Sequence, residues 1–366
     1  MKILLIGEYS NVHWTLSEGL RKLGHEVTVV SDGDYWKNYQ CDISIKRQGY
    51  SFLASLRYLL KVYLNLPKFK GYDVVQIINP IFFDLKAERM YSIYNYLRKY
   101  NKKVFMGAFG MDYYWVHTCR TTSTFKYSDF NFGDLLREDE CAMVEVKDWI
   151  GTEKEKLNKH IANDCDGIVA GLYEYYACYK PVFSKKTTFI PYPINTDNIK
   201  PSELIFQMGD KIRFFIGIQK VRNVYKGTDV MLKALLRVAE KYPDKCEVVK
   251  CESVPYEEYK KLLDSSHVLL DQLYSYTPAM NGLLAMAKGM VLVGGGEPEN
   301  YEVLNERTLK PIVNVSPNEE DVYRKLESLV LSPEKIQQLR DESRLYIECH
   351  HDYRKVAQQY VEFWNK

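Results

Sequence analysis

Residues 2–30 read KILLIGEYSNVHWTLSEGLRKLGHEVTVV, and the fold class can be worked out from this stretch. The apolar run Lys2–Gly7 predicts a buried strand, and the leucines after it recur at helical spacing. Ser10-Asn11 predicts the cap of this helix, and Gly24 predicts its end. The run His25–Val30 then predicts a second strand. A strand, a crossover helix and a further strand are typical of a doubly wound parallel sheet.

The same alternation continues along the chain in two series. The first series adds strands at Asp73–Ile78, Lys103–Met106 and Asp166–Ala170, and the second begins with the strand Arg213–Ile218. The rest of the second series alternates helix and strand through Asp229–Lys241, Glu247–Cys251, Tyr256–Ser265, Val268–Leu270, Ala279–Lys288, Met290–Val293 and the helix Glu320–Leu331. We therefore predict an α/β protein of two doubly wound, Rossmann-like domains that face a central cleft, with the active site between them.

Composition predicts the boundary between the two series. Ile190–Asp197 holds two prolines followed by polar residues, which is typical of a linker. We predict an N-terminal domain at residues 1–192, a linker at 193–203 and a C-terminal domain at 204–345. The segment Asp112–Asp139 is polar and aromatic without a clear period. Such a long loop is either a lid or acceptor-side insertion, or a plain surface excursion.

Composition also excludes several classes of protein. A formal net charge of +2 over 366 residues argues against a general nucleic-acid binder, which would have a strong basic excess. The eight cysteines have neither CxxC nor zinc-ligand spacing, so we expect reduced thiols in a reducing compartment. Charges follow the first apolar run too soon for a signal peptide, and no stretch is apolar enough for a membrane span. We therefore expect a cytoplasmic protein.

The loops after the first strands of the two series are candidate ligand sites, because doubly wound sheets bind ligands at the carboxyl ends of strands. The loop that begins at Gly7 lacks GxGxxG, so a dinucleotide is not expected. Gly7 still permits close backbone approach, and His13 either contacts substrate or packs against the sheet. In the second series Arg222 and Lys226 precede Gly227, a pattern that suits a diphosphate unless both cations are merely solvated.

Two later segments extend this candidate site. Thr277 predicts the cap of a helix whose first N–H groups would face a phosphate, although every helix start has such groups. Those N–H groups belong to Ala279, Met280 and Asn281. Three glycines after the next strand permit positive φ and close contact, so Glu297 or Glu299 would bind sugar hydroxyls; the alternative is a tight turn. Asp32-Gly33-Asp34 spells a metal-binding DxD, but we interpret it as a turn and predict neither a metal nor a cofactor.

Taken in order, these segments resemble the retaining GT-B glycosyltransferases that family 4 typifies. The resemblance rests on Lys2–Gly7, Phe189–Asn195, Tyr225–Gly227 and Ala285–Val293, the last being similar to the family's EAMA-x-G-x-P-V-V junction. His350–Tyr353 and the aromatic-ended helix after it resemble the family's C-terminal helix, so residues 346–366 are expected to cross back to the N-terminal domain.

The resemblance implies a function. It implies metal-independent, retaining transfer of a sugar, of the hexosyltransferase type, from a nucleotide-sugar to a glycan or lipid-linked acceptor, as in polysaccharide biosynthesis. The N-terminal domain would take the acceptor and residues 204–345 the nucleotide-sugar. Arg222 and Lys226 would bind the donor diphosphate, and the base would lie near Val254. Phe109–Asp112 is similar to the family's HG-x-D segment, which makes Asp112 a catalytic candidate together with His13.

The chain departs from the family pattern at three positions. The two acids of the E-x7-E motif are replaced by Tyr276 and Leu284, and the histidine of HG-x-D by Phe109. Asp271-Gln272 could supply replacement polar groups. Because the usual ribose-binding carboxylate is absent, a catalytically silent scaffold that binds sugar nucleotides is an alternative function. A sugar-nucleotide epimerase shares the fold, but no matching acid/base constellation is evident.

The stretch between Asp42 and Asp73 is basic and contains no acidic residue. Its cations are Lys46, Arg47, Arg57, Lys61, Lys68 and Lys70, and its apolar residues near helical spacing are Phe52, Leu53, Leu56, Leu59, Leu60, Tyr63 and Leu64. A basic helix with an apolar face is typical of an interfacial anchor, so we expect residues 46–70 to contact an anionic membrane peripherally at its inner face. The alternative is that the apolar face packs on the N-terminal sheet.

Overall fold

The computed structural model describes residues 1–252, 254 and 256–366. The chain folds into two compact units. Unit 1 comprises Met1–Thr118, Val144–Asn195 and Tyr353–Lys366, and unit 2 comprises Cys119–Met143 and Thr196–Asp352. Residues 119–143 therefore pack with the second half of the chain, and the last fourteen residues pack with the first half.

The strands follow one another as the alternating sequence pattern predicts. They are β1 Lys2–Ile6, β2 Glu26–Ser31, β3 Ile43–Ser44, β4 Val74–Ile77, β5 Lys103–Ala108, β6 Asn131–Phe132, β7 Leu135–Leu136, β8 Gly167–Ala170, β9 Thr187–Phe189, β10 Ile212–Ile218, β11 Cys246–Glu252, β12 Val268–Leu270, β13 Val291–Gly294 and β14 Val313–Asn314. β1 is nearly continuous apolar sequence because a central parallel strand is covered on both faces.

The helices connect these strands. They are α1 Val12–Lys22, α2 Phe52–Asn65, α3 Ala87–Tyr100, α4 Tyr113–Thr121, α5 Glu140–Trp149, α6 Glu153–Asp164, α7 Tyr173–Tyr179, α8 Asn223–Lys226, α9 Thr228–Lys241, α10 Tyr256–Asp264, α11 Met280–Ala287, α12 Pro298–Val303, α13 Glu319–Leu331, α14 Glu334–His350 and α15 Tyr353–Trp364. Across the described residues, no helix is both long and apolar enough to cross a bilayer.

Each unit is built on one parallel sheet. The strand order in unit 1 is β3-β2-β1-β4-β5-β8-β9, and the order in unit 2 is β11-β10-β12-β13-β14. In unit 1, Ile3 pairs with Val27 on one side and Val74 on the other. Sequence-distant strands thus become neighbours, as crossover helices require. The predicted α/β fold of two doubly wound halves is confirmed.

The start of α1 differs from its prediction. Ser10 and Asn11 have φ values of 52° and 70°, and the Asn11 side chain makes no capping hydrogen bond. Asn11 occupies the N-cap position, but its side chain donates to the Thr15 hydroxyl at 3.3 Å and accepts no helix N–H. The Glu8 carboxylate caps the helix instead, accepting N–H groups from His13 at 3.2 Å and Trp14 at 2.9 Å.

The C-terminal helical region breaks at His351 and continues as α15, which packs within unit 1. A Cβ on Gly19 of α1 would lie 2.3 Å from the Tyr353 carbonyl oxygen, so the absence of a side chain there lets the two helices meet. The Trp364 indole N–H donates to the buried Gln76 side chain on β4 at 3.2 Å. The end of the chain is thereby fixed to the centre of the unit 1 sheet.

Candidate functional site

The loop after β10 is held on the neighbouring strand β12 by a glycine. Gly227 has a φ of 72°, and a Cβ there would lie 2.6 Å from the Leu273 Cβ. The Leu273 N–H donates to the Lys226 carbonyl at 3.0 Å. The loop is thus fixed to the carboxyl end of β12, and the charge of Lys226 acts on Asp271, the first residue after that strand.

The side chains of Arg222 and Lys220 on this loop are exposed to solvent. Arg222 is exposed and lies over the ring of Tyr225 with its guanidinium 5.1 Å from the ring centre. Lys220 is also exposed and pairs with Glu252 at 3.4 Å. Val254 is half-buried just beyond β11, next to residues outside the described part of the chain. The main chain of Lys226 is therefore fixed to β12, while the exposed Arg222 guanidinium lies over a ring.

The start of α11 is capped by the Asp271 side chain, and Thr277 does not have this role. The N-cap residue is Ala279, and Thr277 is a buried residue whose carbonyl accepts the Ser275 hydroxyl, so the predicted Thr277 cap is wrong. Asp271 performs this role: its carboxylate accepts from the Asn281 side chain at 3.0 Å and from the Gly282 N–H. Met280 and Asn281 open the helix, one residue later than expected.

The electrostatics at the start of α11 are set by burial and one cation. Burial raises the pKa of Asp271, while Lys226 and the two donors on α11 lower it. A phosphate at this helix start would meet the Asp271 carboxylate, which already uses the positive end of the helix dipole. Lys226 is the cation placed to offset both negative groups.

The glycines after β13 serve packing. None of Gly294, Gly295 and Gly296 lies in the left-handed region, so the positive φ that glycine permits is not used here. A Cβ on Gly295 would lie 2.4 Å from the Ser275 carbonyl oxygen, and one on Gly296 would lie 2.7 Å from an Ile312 methyl group. The absence of side chains at these glycines therefore lets the segment pack closely against Ser275 and Ile312, which is compatible with the tight-turn alternative.

Glu297 and Glu299 differ in the hydrogen bonds that their carboxylate oxygens accept. The Glu297 Oε1 accepts from the Asn314 amide at 2.8 Å and from the Tyr127 hydroxyl at 2.7 Å. The Lys126 ammonium lies 3.6 Å from the other Glu297 oxygen. The Glu299 Oε2 is enclosed and has no hydrogen-bond partner among the residues described. Glu297 is thus held by residues 126, 127 and 314, whereas the Glu299 Oε2 is closed off from the surface.

Residues 119–143, which we call the insert, cover the position of the first missing acid. The Tyr276 hydroxyl accepts the Lys126 backbone N–H at 2.7 Å. Its ring packs against Phe125 and Tyr127 with ring centres 5.5 and 5.0 Å apart. Leu284, at the second position, is half-buried on α11. An aromatic cluster therefore stands where the family resemblance leads one to expect a carboxylate.

The insert also contacts the loop after β10, which contains Arg222 and Lys226. Arg137 lies 3.9 Å from the centre of the Tyr274 ring and donates to the carbonyls of Val224 and Tyr225 at 3.0 and 3.2 Å. The insert contains the antiparallel β6–β7 pair, so it is ordered and is no plain excursion. Composition alone did not identify Lys126, Tyr127 or Arg137, because their partners are 87 to 170 residues away.

In unit 1, His13 and Gly7 pack against the sheet. The His13 Nδ1 lies 2.8 Å from the Gly7 carbonyl, and its Nε2 is buried without a hydrogen-bond partner in the described structure. Burial lowers the pKa of His13 to about 3, so the ring is neutral. A Cβ on Gly7 would lie 2.2 Å from the Ile78 Cγ2, so this glycine permits close strand packing.

Asp112 is buried at the start of α4. Its carboxylate accepts the Trp115 N–H at 2.9 Å and the Tyr179 hydroxyl at 2.7 Å. Burial raises the pKa of Asp112 to about 6, and these hydrogen bonds oppose the rise. The DxD segment forms a turn, in which the Asp34 N–H donates to Asp32 at 3.0 Å.

Comparison with known proteins supports the fold. The sequence matches no protein-family model and no curated protein. Among solved structures it resembles Anabaena HepE in complex with UDP and glucose, with a TM-score of 0.63 and 10% identity over 100% of both chains. It also resembles sucrose-phosphate synthase from Thermosynechococcus elongatus, with a TM-score of 0.63 and 11% identity over 100% of this chain and 98% of that one.

A third likeness concerns the alternative function. UDP-GlcNAc 2-epimerase from Neisseria meningitidis, bound to UDP-GlcNAc, gives a TM-score of 0.55 and 11% identity over 99% of both chains. At such identities these matches establish the fold alone. The chain has the α/β architecture of the two-domain GT-B glycosyltransferase structures.

Proposed function

We propose that this chain is a GT-B glycosyltransferase of the kind that family 4 typifies. It takes a sugar from a nucleotide-sugar and passes it, with retention and without a metal, to a glycan or lipid-linked acceptor. The observation that carries the proposal is the hydrogen bond from the Leu273 N–H to the Lys226 carbonyl, which fixes the Lys226 main chain to the carboxyl end of β12, next to Asp271. β10 and β12 are neighbours in the sheet, and their carboxyl ends are where doubly wound folds bind nucleotides.

In this reaction the two cations stabilise the charge of the leaving group. As the bond from the sugar C1 to the diphosphate breaks, negative charge grows on the leaving oxygen, and Lys226 with Arg222 stabilises it. The acceptor hydroxyl attacks C1 on the face that the phosphate leaves, and a phosphate oxygen takes its proton. This route needs no carboxylate nucleophile, so it is compatible with Tyr276 and Leu284 at the E-x7-E positions.

Sugar recognition is assigned to the segment after β13. The Glu299 Oε2 is enclosed without a hydrogen-bond partner among the described residues, so it accepts a donor hydroxyl only after this segment rearranges. Glu297 is already engaged by Tyr127 and Asn314, so it binds a sugar only after the insert moves. Val254 remains the proposed contact for the base.

A second candidate function is a silent scaffold that binds sugar nucleotides for a partner transferase. The contacts of the insert with Tyr276 and Glu297 favour it, because they engage polar groups that a donor would use. The similarity to an epimerase concerns the fold alone, so it does not support an epimerase function for the candidate site. Turnover separates the scaffold from the transferase.

Incubation with a panel of UDP-, GDP- and ADP-sugars tests the proposal through release of nucleoside diphosphate. We expect release with at least one donor, and we expect Lys226→Met to lower kcat/KM by roughly 100-fold. Lys220→Met is the matched control, because Lys220 lies on the same loop but is exposed and paired with Glu252. Binding without release across the panel would favour the scaffold, and equal kinetics in both variants would remove Lys226 from the site.

A further inference from the structure

α2 carries its apolar residues on the outside of unit 1. Phe52 is 81% exposed, Leu64 76% and Leu53 62%. Leu56, Leu60 and Tyr63 are exposed as well, and together these six residues form the α2 apolar stripe. At 3.6 residues per turn they cover roughly a third of the helix circumference. Contiguous exposed apolar surface of this kind marks a site of interaction.

The opposite side of α2 holds the helix in place. Tyr58 and Val62 are its buried residues, and the Tyr58 hydroxyl accepts the Asp84 N–H at 3.2 Å. The Ser51 side chain caps the helix by accepting the Ala54 N–H at 3.3 Å. The alternative that the apolar face packs on the sheet is therefore wrong for the α2 apolar stripe, whose six side chains are exposed while Tyr58 and Val62 are buried.

Uncompensated cations surround the α2 apolar stripe. Arg57, Lys68 and Lys70 are exposed, and none of them forms an ion pair with a residue in the described parts of the chain. Arg47 is different, because it is used internally by Asp84 and Ser55. No carboxylate occurs in the sequence between Asp42 and Asp73. The surface thus combines exposed apolar side chains with cations that form no ion pair among the described residues.

We propose that α2 docks on the surface of an anionic lipid bilayer. The α2 apolar stripe enters the interface between headgroups and acyl chains, and Arg57, Lys68 and Lys70 contact lipid phosphates. Charge complementarity selects this occupant, since the exposed cations Arg57, Lys68 and Lys70 have no ion-pair partner among the described residues and would attract an anionic surface. The proposal concerns a surface outside the candidate site, so it does not rest on the proposed function.

Co-sedimentation of the full chain with vesicles tests the docking. We expect pelleting with vesicles of phosphatidylcholine mixed with phosphatidylglycerol, none with phosphatidylcholine alone, and release in high salt. Removing the cations in Arg57→Gln/Lys68→Gln should weaken binding roughly fivefold per charge. Phe52→Ser/Leu64→Ser should abolish pelleting, because it removes the two most exposed side chains of the α2 apolar stripe.

Leu345→Ser is the matched control, because Leu345 is a 49% exposed leucine on α14. Circular dichroism of each variant establishes that it is folded, which is expected because all the replaced side chains are exposed. Equal supernatant fractions with both kinds of vesicle would overturn the proposal. So would a concentration-dependent dimer that the α2 variants dissociate, since the α2 apolar stripe would then belong to a second copy of the chain.

Discussion

Glu8 is a buried carboxyl that caps α1 from the end of β1. Burial raises its pKa from 4.5 to about 8, and the N–H groups of His13 and Trp14 only partly oppose this. The folded chain therefore holds a proton that the unfolded chain releases near pH 4.5. The stabilising effect of that proton is complete at low pH and is lost as the pH rises toward 8.

We expect the free energy of unfolding to fall between pH 6 and pH 8 by as much as about 1.4 kcal/mol per pH unit from this group. Glu8→Gln keeps an oxygen for the helix N–H groups but cannot ionise, so its stability should lose this part of the slope. Urea unfolding of both proteins across the range measures it. Parallel curves for the two proteins would show that Glu8 is not the titrating group.

Asp112 remains a catalytic candidate, and its geometry adds a structural role. Asp112→Asn keeps an oxygen for the Trp115 N–H but replaces the oxygen that accepts from Tyr179, so it should cost about 1 kcal/mol of stability. We also expect its turnover to fall when the rate is measured on fully folded protein. Melting together with specific activity decides the matter: early melting with full activity would make Asp112 purely structural.

Among the longer elements, the insert offers a test of how the donor site is opened. Tyr127→Phe removes the hydroxyl that donates to Glu297. One such hydrogen bond is worth about 1 kcal/mol, so the insert should loosen and nucleotide-sugar affinity should rise roughly fivefold. Hydrogen exchange of residues 125–132 and titration calorimetry measure the two effects. Tyr100→Phe on α3, where the tyrosine is exposed, serves as control; weaker donor binding by Tyr127→Phe would mean that Tyr127 is a ligand contact.

Periodicity predicted the strands and helices well because it depends on local sequence. Periodicity did not predict which residues cap the helices. Glu8 caps α1 from the end of β1, and Asp271 caps α11 from the end of β12. The same limit applies to α2, since a helical pattern shows an apolar face but not what covers it. The insert was unpredictable for this reason too, as Tyr127 and Glu297 lie 170 residues apart.

At the scale of the whole molecule, the two doubly wound units agree with the GT-B structures over almost the full chain length. At identities of 10 and 11%, this agreement is one of fold. What the candidate site binds is therefore a question for direct ligand measurements.

Ligand-protected melting of the wild-type chain across UDP, GDP and ADP and their sugars tests the central claim most directly. A nucleotide-sugar present at 100 times its Kd adds about 2.7 kcal/mol of stability, which is readily seen as a higher Tm. The account predicts such a rise with the nucleotide-sugars of one base, and little with those of the other two. An unchanged Tm with every nucleotide and nucleotide-sugar would contradict it.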